Sequence, residues 1–245
     1  MVNLVDNRRR LLTTAALTGA GFVMGLGAPG RALAEKSNKK PGQEKEVGAV
    51  EDLMREHGVL RRALLVYIET VPRLRGAPGK NLPLEPIART AKLFRSFGED
   101  YHERKLEDAH IFPVVKKAGG AAAAYVDVLK AQHDRGREVT DYILTMAGKG
   151  SIGTSDAEPL ARAFEAFVLM YQNHTAREDT VVFPAWKDAL SERQLHEMGD
   201  KFEDIEHRTF GKDGFDDAVK QIGEIEQALG LADIAQFTAP PPPKA

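Results

Sequence analysis

No cysteine occurs anywhere in the 245 residues. Disulfides therefore cannot hold the fold. Thiolate metal chemistry and lipid attachment through a thiol are excluded, and any metal must be held by nitrogen and oxygen. Charge of one sign is also lacking: 34 Lys and Arg face 36 Asp and Glu, for a net charge of −2. Nothing global recommends nucleic acid as a partner. Strand-like runs, phosphate-cradling glycine loops and serine-centred nucleophile arrangements are absent too. Gly119-Gly120 and the glycines at 148, 150 and 153 read as turns. What is present, 42% apolar and 29% charged residues, suffices for one good core and is too little for three domains.

The N-terminus stands apart from the rest. Asn7-Arg8-Arg9-Arg10-Leu11-Leu12 opens a mildly apolar, glycine-broken run to Ala28, and Ala32-Leu33-Ala34 fits a small-x-small cleavage site. The paired arginines resemble a twin-arginine export signal. The run is weakly hydrophobic for a spanning helix, so residues 1–34 read as a cleaved leader and the mature chain as periplasmic or otherwise exported, with no stable membrane anchor. Cleavage there removes Asp6, Arg8, Arg9, Arg10 and Arg31, taking the net charge from −2 to −5. Residues 35–46, rich in Lys, Glu, Gly and Pro, read as a linker.

Helical periodicity begins near Val47. Val50, Leu53, Met54, His57, Leu60, Leu64, Leu65 and Ile68 mark one apolar face, which Pro72 and the 76–83 stretch bring to an end. Further helices are predicted over about 86–117, with Pro113 as a kink or stop, and over about 121–147 and 156–190. Ser191-Glu192-Arg193-Gln194 is a capping box opening a fifth helix to about Arg208, and a sixth runs from about Phe215 to Leu229, ended by Gly230. Short loops between long amphipathic helices predict an all-α chain: an up-and-down antiparallel four-helix bundle over 47–190, a helical extension over 191–230 and a Pro-rich tail over 231–245.

One pattern is written twice. Tyr101–Pro113 reads YHERKLEDAHIFP and Asn173–Pro184 reads NHTAREDTVVFP. Each copy has a His, then Glu-Asp, two residues, an aliphatic, Phe and Pro. Four of the seven histidines fall one per core helix: His57, His102, His133 and His174. Mid-helix residues of an up-and-down bundle meet at one level, and His with Glu is a ligand set for iron, manganese or zinc. His174 and Glu178 are four apart, about 40° on a helix. His102 and Glu107 are five apart, about 140° on a regular helix. They reach one centre only through a local π-turn, or by serving two metals. Glu103, about 40° from Glu107, is a further carboxylate candidate. His110 and His196 read as surface or hydrogen-bonded residues, and His207 lies outside the four core helices with a local or supporting place.

This constellation resembles the haemerythrin-like (HHE cation-binding) domain. The likeness covers about residues 50 to 190, and the FEDIEHRTFG segment (Phe202–Gly211) looks like an extension of exported bacterial members. It implies a left-twisted four-helix bundle holding an oxo- or hydroxo-bridged centre of two iron ions per chain, with manganese or zinc as alternatives. Carried across, it implies His57, His102, His133 and His174 as ligands, with Glu107 and Glu178 as bridging carboxylates. Asp179 is the rival to Glu178, since the oxygen carriers use an Asp at that spacing. Glu103 looks like the extra carboxylate of the iron-sensing relative in animal ubiquitin ligases. One departure stands out: the oxygen carriers place a second His four residues after the third-helix His, where this chain has Arg137. That implies a harder, more carboxylate-rich shell with a positive charge near the metals. Tyr171, three residues before His174, reads either as a core tyrosine with its hydroxyl at the bundle rim or as a phenol facing a bound ligand.

Three functions are compatible with these residues. The first is an exported metal-binding protein that binds or senses dioxygen or a related small ligand such as nitric oxide or peroxide. The second is an oxidative enzyme, peroxide-decomposing or ferroxidase-like. The third is a metal-free helical structural or interaction module.

Overall fold

A computed structural model describes residues 47–76 and 82–243. The leader read over 1–34 and the linker over 35–46 lie outside the described residues. Those residues form helices and turns, and no strand is found among them. Also among them, no helix is long and apolar enough to cross a membrane.

The helices follow from the periodicities. Helix α1 (Ala49–Gly76) buries Leu53, His57, Leu60 and Leu64 on one face, carries Glu51 and Asp52 in its first turn and ends on Arg73 and Arg75. Those charges complement the helix dipole at both ends. Pro72, expected to end this helix, lies inside it. Met54 and Leu65, assigned by periodicity to the apolar face, stand 36% and 47% exposed.

The second rod is one continuous winding with a change of pitch. It runs as α2 (Leu84–Leu93), a π-helical segment (Phe94–Ile111) and α3 (Phe112–Ala118). The positive-φ pair Gly119 (79°) and Gly120 (74°) then turns the chain into α4 (Gly120–Ala147). The fourth rod repeats the scheme: α5 (Thr154–Arg177), a short π segment (Glu178–Val182) and α6 (Phe183–Asp188). Both π segments end just before a Phe-Pro pair. In each, the Phe N–H bonds to the carbonyl five residues back, Phe112 to Glu107 and Phe183 to Glu178. Proline cannot donate the next bond and its ring crowds the carbonyl four residues earlier, so a widened turn relieves the crowding.

Helix α1 packs against α5 and the long π segment, and α4 packs against α2, the long π segment and α5. The chain has few aromatic residues, and most of the large ones are central. Tyr67, Phe94, Phe164, Phe167 and Tyr171 are fully buried, with Tyr67 stacked on Phe164 at 4.8 Å and Phe94 edge-on to both Phe167 and Tyr171. Helices α7 (Glu192–Phe210) and α8 (Gly214–Leu229) close over the outside of α1, with α8 also against α2 and α7 against the long π segment.

Ser191 and Gln194 form the expected reciprocal capping box at the start of α7. Ser191→Ala removes one half of it and is expected to lower unfolding free energy by about 1 kcal/mol. Chemical denaturation with an unchanged m-value is the check; an unaltered midpoint would show that the cap contributes nothing.

Candidate metal centre

Six of the seven predicted ligands converge in the interior. One atom from each of Glu107, His133, His174 and Glu178 lies within 4.8 Å of the others, and the same holds for His57, His102 and Glu107. The side chains of all six are buried. The histidines form two pairs, His57 with His102 (Nε2 to Nε2, 3.0 Å) and His133 with His174 (3.2 Å). Each glutamate spans both pairs. Glu107 turns Oε1 to His102 (3.4 Å) and Oε2 to His133 (3.3 Å), while Glu178 turns Oε2 to His57 (3.5 Å) and Oε1 to His174 (3.0 Å). The π winding makes the first copy work, because in i→i+5 winding residues five apart share a face. His102 and Glu107 therefore face the same centre.

The outer ring nitrogens identify the proton. His57 Nδ1 meets Asp179 at 2.7 Å, His102 Nδ1 meets Glu56 at 2.5 Å, His174 Nδ1 meets Gln132 Oε1 at 2.9 Å and His133 Nδ1 faces Asp108 at 3.4 Å. Carboxylate and amide oxygens only accept, so the neutral rings of His57, His102 and His174 carry their hydrogen on Nδ1 and aim a bare Nε2 inward. The doubled Glu-Asp pair now has a reason. In each copy the Glu enters the centre while the Asp turns to a histidine of another helix: Asp179 hydrogen-bonds His57, and Asp108 stands within ion-pair range of His133. The Phe of each copy stacks on that same ring, Phe112 on His133 and Phe183 on His57, both at 5.4 Å. The other two histidines are held by the residue preceding a neighbour's ligand, Glu56 before His57 and Gln132 before His133. Sequence reasoning missed Glu56 and Gln132; their adjacency to the ligands of α1 and α4 was the available signal.

Asp179, the rival to Glu178, faces outward to His57 and also pairs with Arg61. Glu103 stands apart from the gathered atoms. Its Oε1 accepts from the Tyr171 hydroxyl at 2.8 Å, and its Oε2 is buried without a hydrogen-bond partner among the described residues. The Tyr171 hydroxyl is thus deep inside, not at a rim. Gly136 leaves the space, since a Cβ there would lie 2.1 Å from that oxygen. Arg137 binds Asp100 at 2.8 Å and the Glu99 carbonyl, so its guanidinium is committed there. His110, His196 and His207 take no part in the gathered groups.

The fit to a cation can be judged from these atoms alone. Both oxygens of Glu107, both of Glu178 and Oε2 of Glu103 are buried with no hydrogen-bond partner among the described residues. Unpaired buried carboxylates are costly unless paired or bound to metal. Without metal the centre balances itself with protons. Burial opposes charge on His102 and His133, yet the facing carboxylates, chiefly Glu107 for His102 and Glu103 for His133, hold both rings well above the ordinary histidine range. Burial and the neighbouring Glu107 carboxylate push Glu178 up, while burial beside His133 takes His174 down to about 4. A metal must expel the protons on His102, His133 and Glu178.

Comparison with known proteins agrees with this donor set. The Hemerythrin HHE cation binding domain family matches residues 48–186. Uncharacterized proteins of Mycobacterium tuberculosis and Mycobacterium bovis are 39% identical to it over 234 residues, 94% of this chain and 90% of theirs. No solved structure matches significantly.

Two outcomes follow from the geometry. Apparent affinity for a divalent ion such as Zn²⁺ is expected to rise with pH between about 5 and 8, at least about tenfold per unit, because protonated imidazoles cannot ligate. Competition titration against a chelator at fixed pH values measures this, and a flat profile would contradict the proton inventory. Gly136→Ala should cost roughly 1–3 kcal/mol by overpacking the Tyr171 hydroxyl. Adding Tyr171→Phe should restore much of that loss; strictly additive effects in the double-mutant cycle would deny the contact.

Proposed function

The chain belongs to the hemerythrin HHE cation-binding domain family, and from that premise we propose that it is an exported non-haem diiron protein that binds or senses dioxygen or a related small ligand, nitric oxide or peroxide. The observation that carries this reading is the pair of spanning carboxylates. Glu107 and Glu178 each offer one oxygen to each histidine pair, and no protein donor meets those oxygens among the described residues. That is the donor layout of two positions joined by two bridges, not of one.

In this reading the rods of α1, α2 to α3, α4, and α5 to α6 form an up-and-down antiparallel four-helix bundle. Its support is that α1 and α4 each pack on both motif-bearing rods. Export rests on the paired arginines and the Ala32-Leu33-Ala34 site. Two bound iron ions would supply one-electron redox chemistry and open positions for a small ligand. The chain's own residues do the rest. His57 and His102 would hold one ion and His133 and His174 the other, with the rings of His57, His102 and His174 fixed by their Nδ1 partners. Glu103, held to Tyr171 by one oxygen, stands outside the gathered donors. The His57 and His102 group has three gathered donors against four on the other side, so a small ligand would find its room there. Packed aromatic rings below the centre exclude bulk water.

A second reading, a peroxide-decomposing or ferroxidase-like enzyme, is favoured by one observation. The position four residues after His133 carries Arg137, which turns away to Asp100, so a third carboxylate and a buried phenol replace an imidazole. A harder donor set of this kind suits ferric iron and oxidative turnover.

Elemental analysis of protein from its native host is expected to find about two iron per chain. The loaded protein should show ligand-to-iron charge-transfer absorption that shifts with azide or peroxide. A colourless, metal-free protein whose melting ignores chelators would overturn both readings. Glu178→Ala should lose most of the iron of both positions, and Asp179→Ala far less. Oxygen release from peroxide by wild type that vanishes in Glu178→Ala selects the enzyme.

A further inference from the structure

On the outer side of the long π segment, facing away from the metal centre, lies a pocket of about 380 Å³ lined by Arg104, Lys105, Ala109, Ile205, Arg208 and Thr209. We propose that it is a binding site for a small oxyanion of the phosphate class, a site independent of the metal reading.

Three cationic side chains from two different elements meet over this pocket, Arg104 and Lys105 from the π segment and Arg208 from α7. Its lining contains no acidic residue. Among the described residues neither Arg104 nor Arg208 makes an ion pair, although most other arginines are matched to carboxylates: Arg62 to Glu226, Arg75 to Glu158 and Glu165, and Arg89 to Glu224. Lys105 Nζ donates to Thr209 Oγ1 at 2.8 Å, and that hydroxyl in turn donates to the Ile205 carbonyl at 2.7 Å, a relay that steadies the ammonium at the wall with its other two N–H groups left over. The last turn of a helix favours a cation, which accounts for Arg208 at the end of α7. It does not account for Arg104 and Lys105, which sit mid-segment and bring two more positive charges to the same place. Three like charges gathered over one pocket repel one another, and an anion seated there would relieve that repulsion.

The chemistry selects the ligand class. Two guanidinium forks and an ammonium offer directed N–H donors suited to a tetrahedral oxyanion. Ala109 and Ile205 supply an apolar floor against which a small organic portion packs. The volume lies at the lower end of small-ligand sites, so inorganic phosphate and a compact phosphate monoester are the candidates. The pocket also shares a backbone with the centre, since Arg104 directly follows Glu103 and Lys105 lies two residues before Glu107.

The test is calorimetric titration of the metal-loaded full chain with inorganic phosphate and with glycerol phosphate at low ionic strength. Chloride is the control, and phosphorus NMR is the second readout. One saturable site is expected, about tenfold or more weaker in Arg104→Gln/Arg208→Gln, with iron content and melting unchanged. Tighter binding of the monoester identifies an organic phosphate, and equal binding identifies the free ion. If the double variant loses fold, Arg208→Gln alone replaces it, with the same direction of change. Absence of saturable binding, equal binding of chloride, or unchanged affinity in the folded variants overturns the proposal.

Discussion

Imidazole nitrogens aimed at one another across about three ångströms, with carboxylate oxygens beside them that have no hydrogen-bond partner among the described residues, are the constraint around which the molecule is arranged. Such a cluster is unfavourable in an apolar interior unless something positive fills it, be it protons or metal ions. Everything nearby serves to keep it in place. Helix α1 and helix α4 each give two consecutive residues, one ligand and one that steadies a ligand elsewhere. The motif-bearing rods each give a histidine, a spanning glutamate, an aspartate and a stacking phenylalanine.

The arrangement has an approximate internal two-fold relation that the donors reveal better than the sequence does. Glu56-His57 corresponds to Gln132-His133, and the first motif copy corresponds to the second. The relation breaks at two places. A carboxylate backs His102 where an amide backs His174, and Glu103 follows the first motif histidine where Thr175 follows the second. The two halves of the centre therefore differ in charge. Glu56 stands behind the His102 ring and Glu103 meets the Tyr171 hydroxyl, so negative charge is spread unevenly about the gathered donors.

Much of this was legible from the residues. The repeated motif exposed His102, Glu107, His174 and Glu178, and the one-per-helix distribution exposed His57 and His133. The roles of Asp108, Glu56 and Gln132 were not legible, because each acts on a ring from another helix, and cross-helix pairing is settled by packing that periodicity does not encode. Gly136 escaped notice for the same reason: its lack of a side chain has meaning only once Tyr171 lies opposite. Pro72 misled, because proline in a last turn loses a hydrogen bond without having to stop the helix. Met54 and Leu65 misled because a single helical stripe is narrower than the run of apolar residues that suggested it. The five-residue spacing of His102 and Glu107 was a true sign of unusual winding, and the length of the π segment was not foreseeable from it.

The winding bears on how such chains change length. The two motif copies differ by one residue between histidine and glutamate, four steps in one and five in the other. In an ordinary helix an added residue would swing everything beyond it by about 100° and scatter the side chains that must meet. Here the wider loop of backbone absorbs the additional amino acid, and the Phe-Pro pair lets the usual pitch resume. Insertions and deletions are thus accommodated inside a secondary-structure element, a place where they are ordinarily ruinous, and the donor atoms still arrive together.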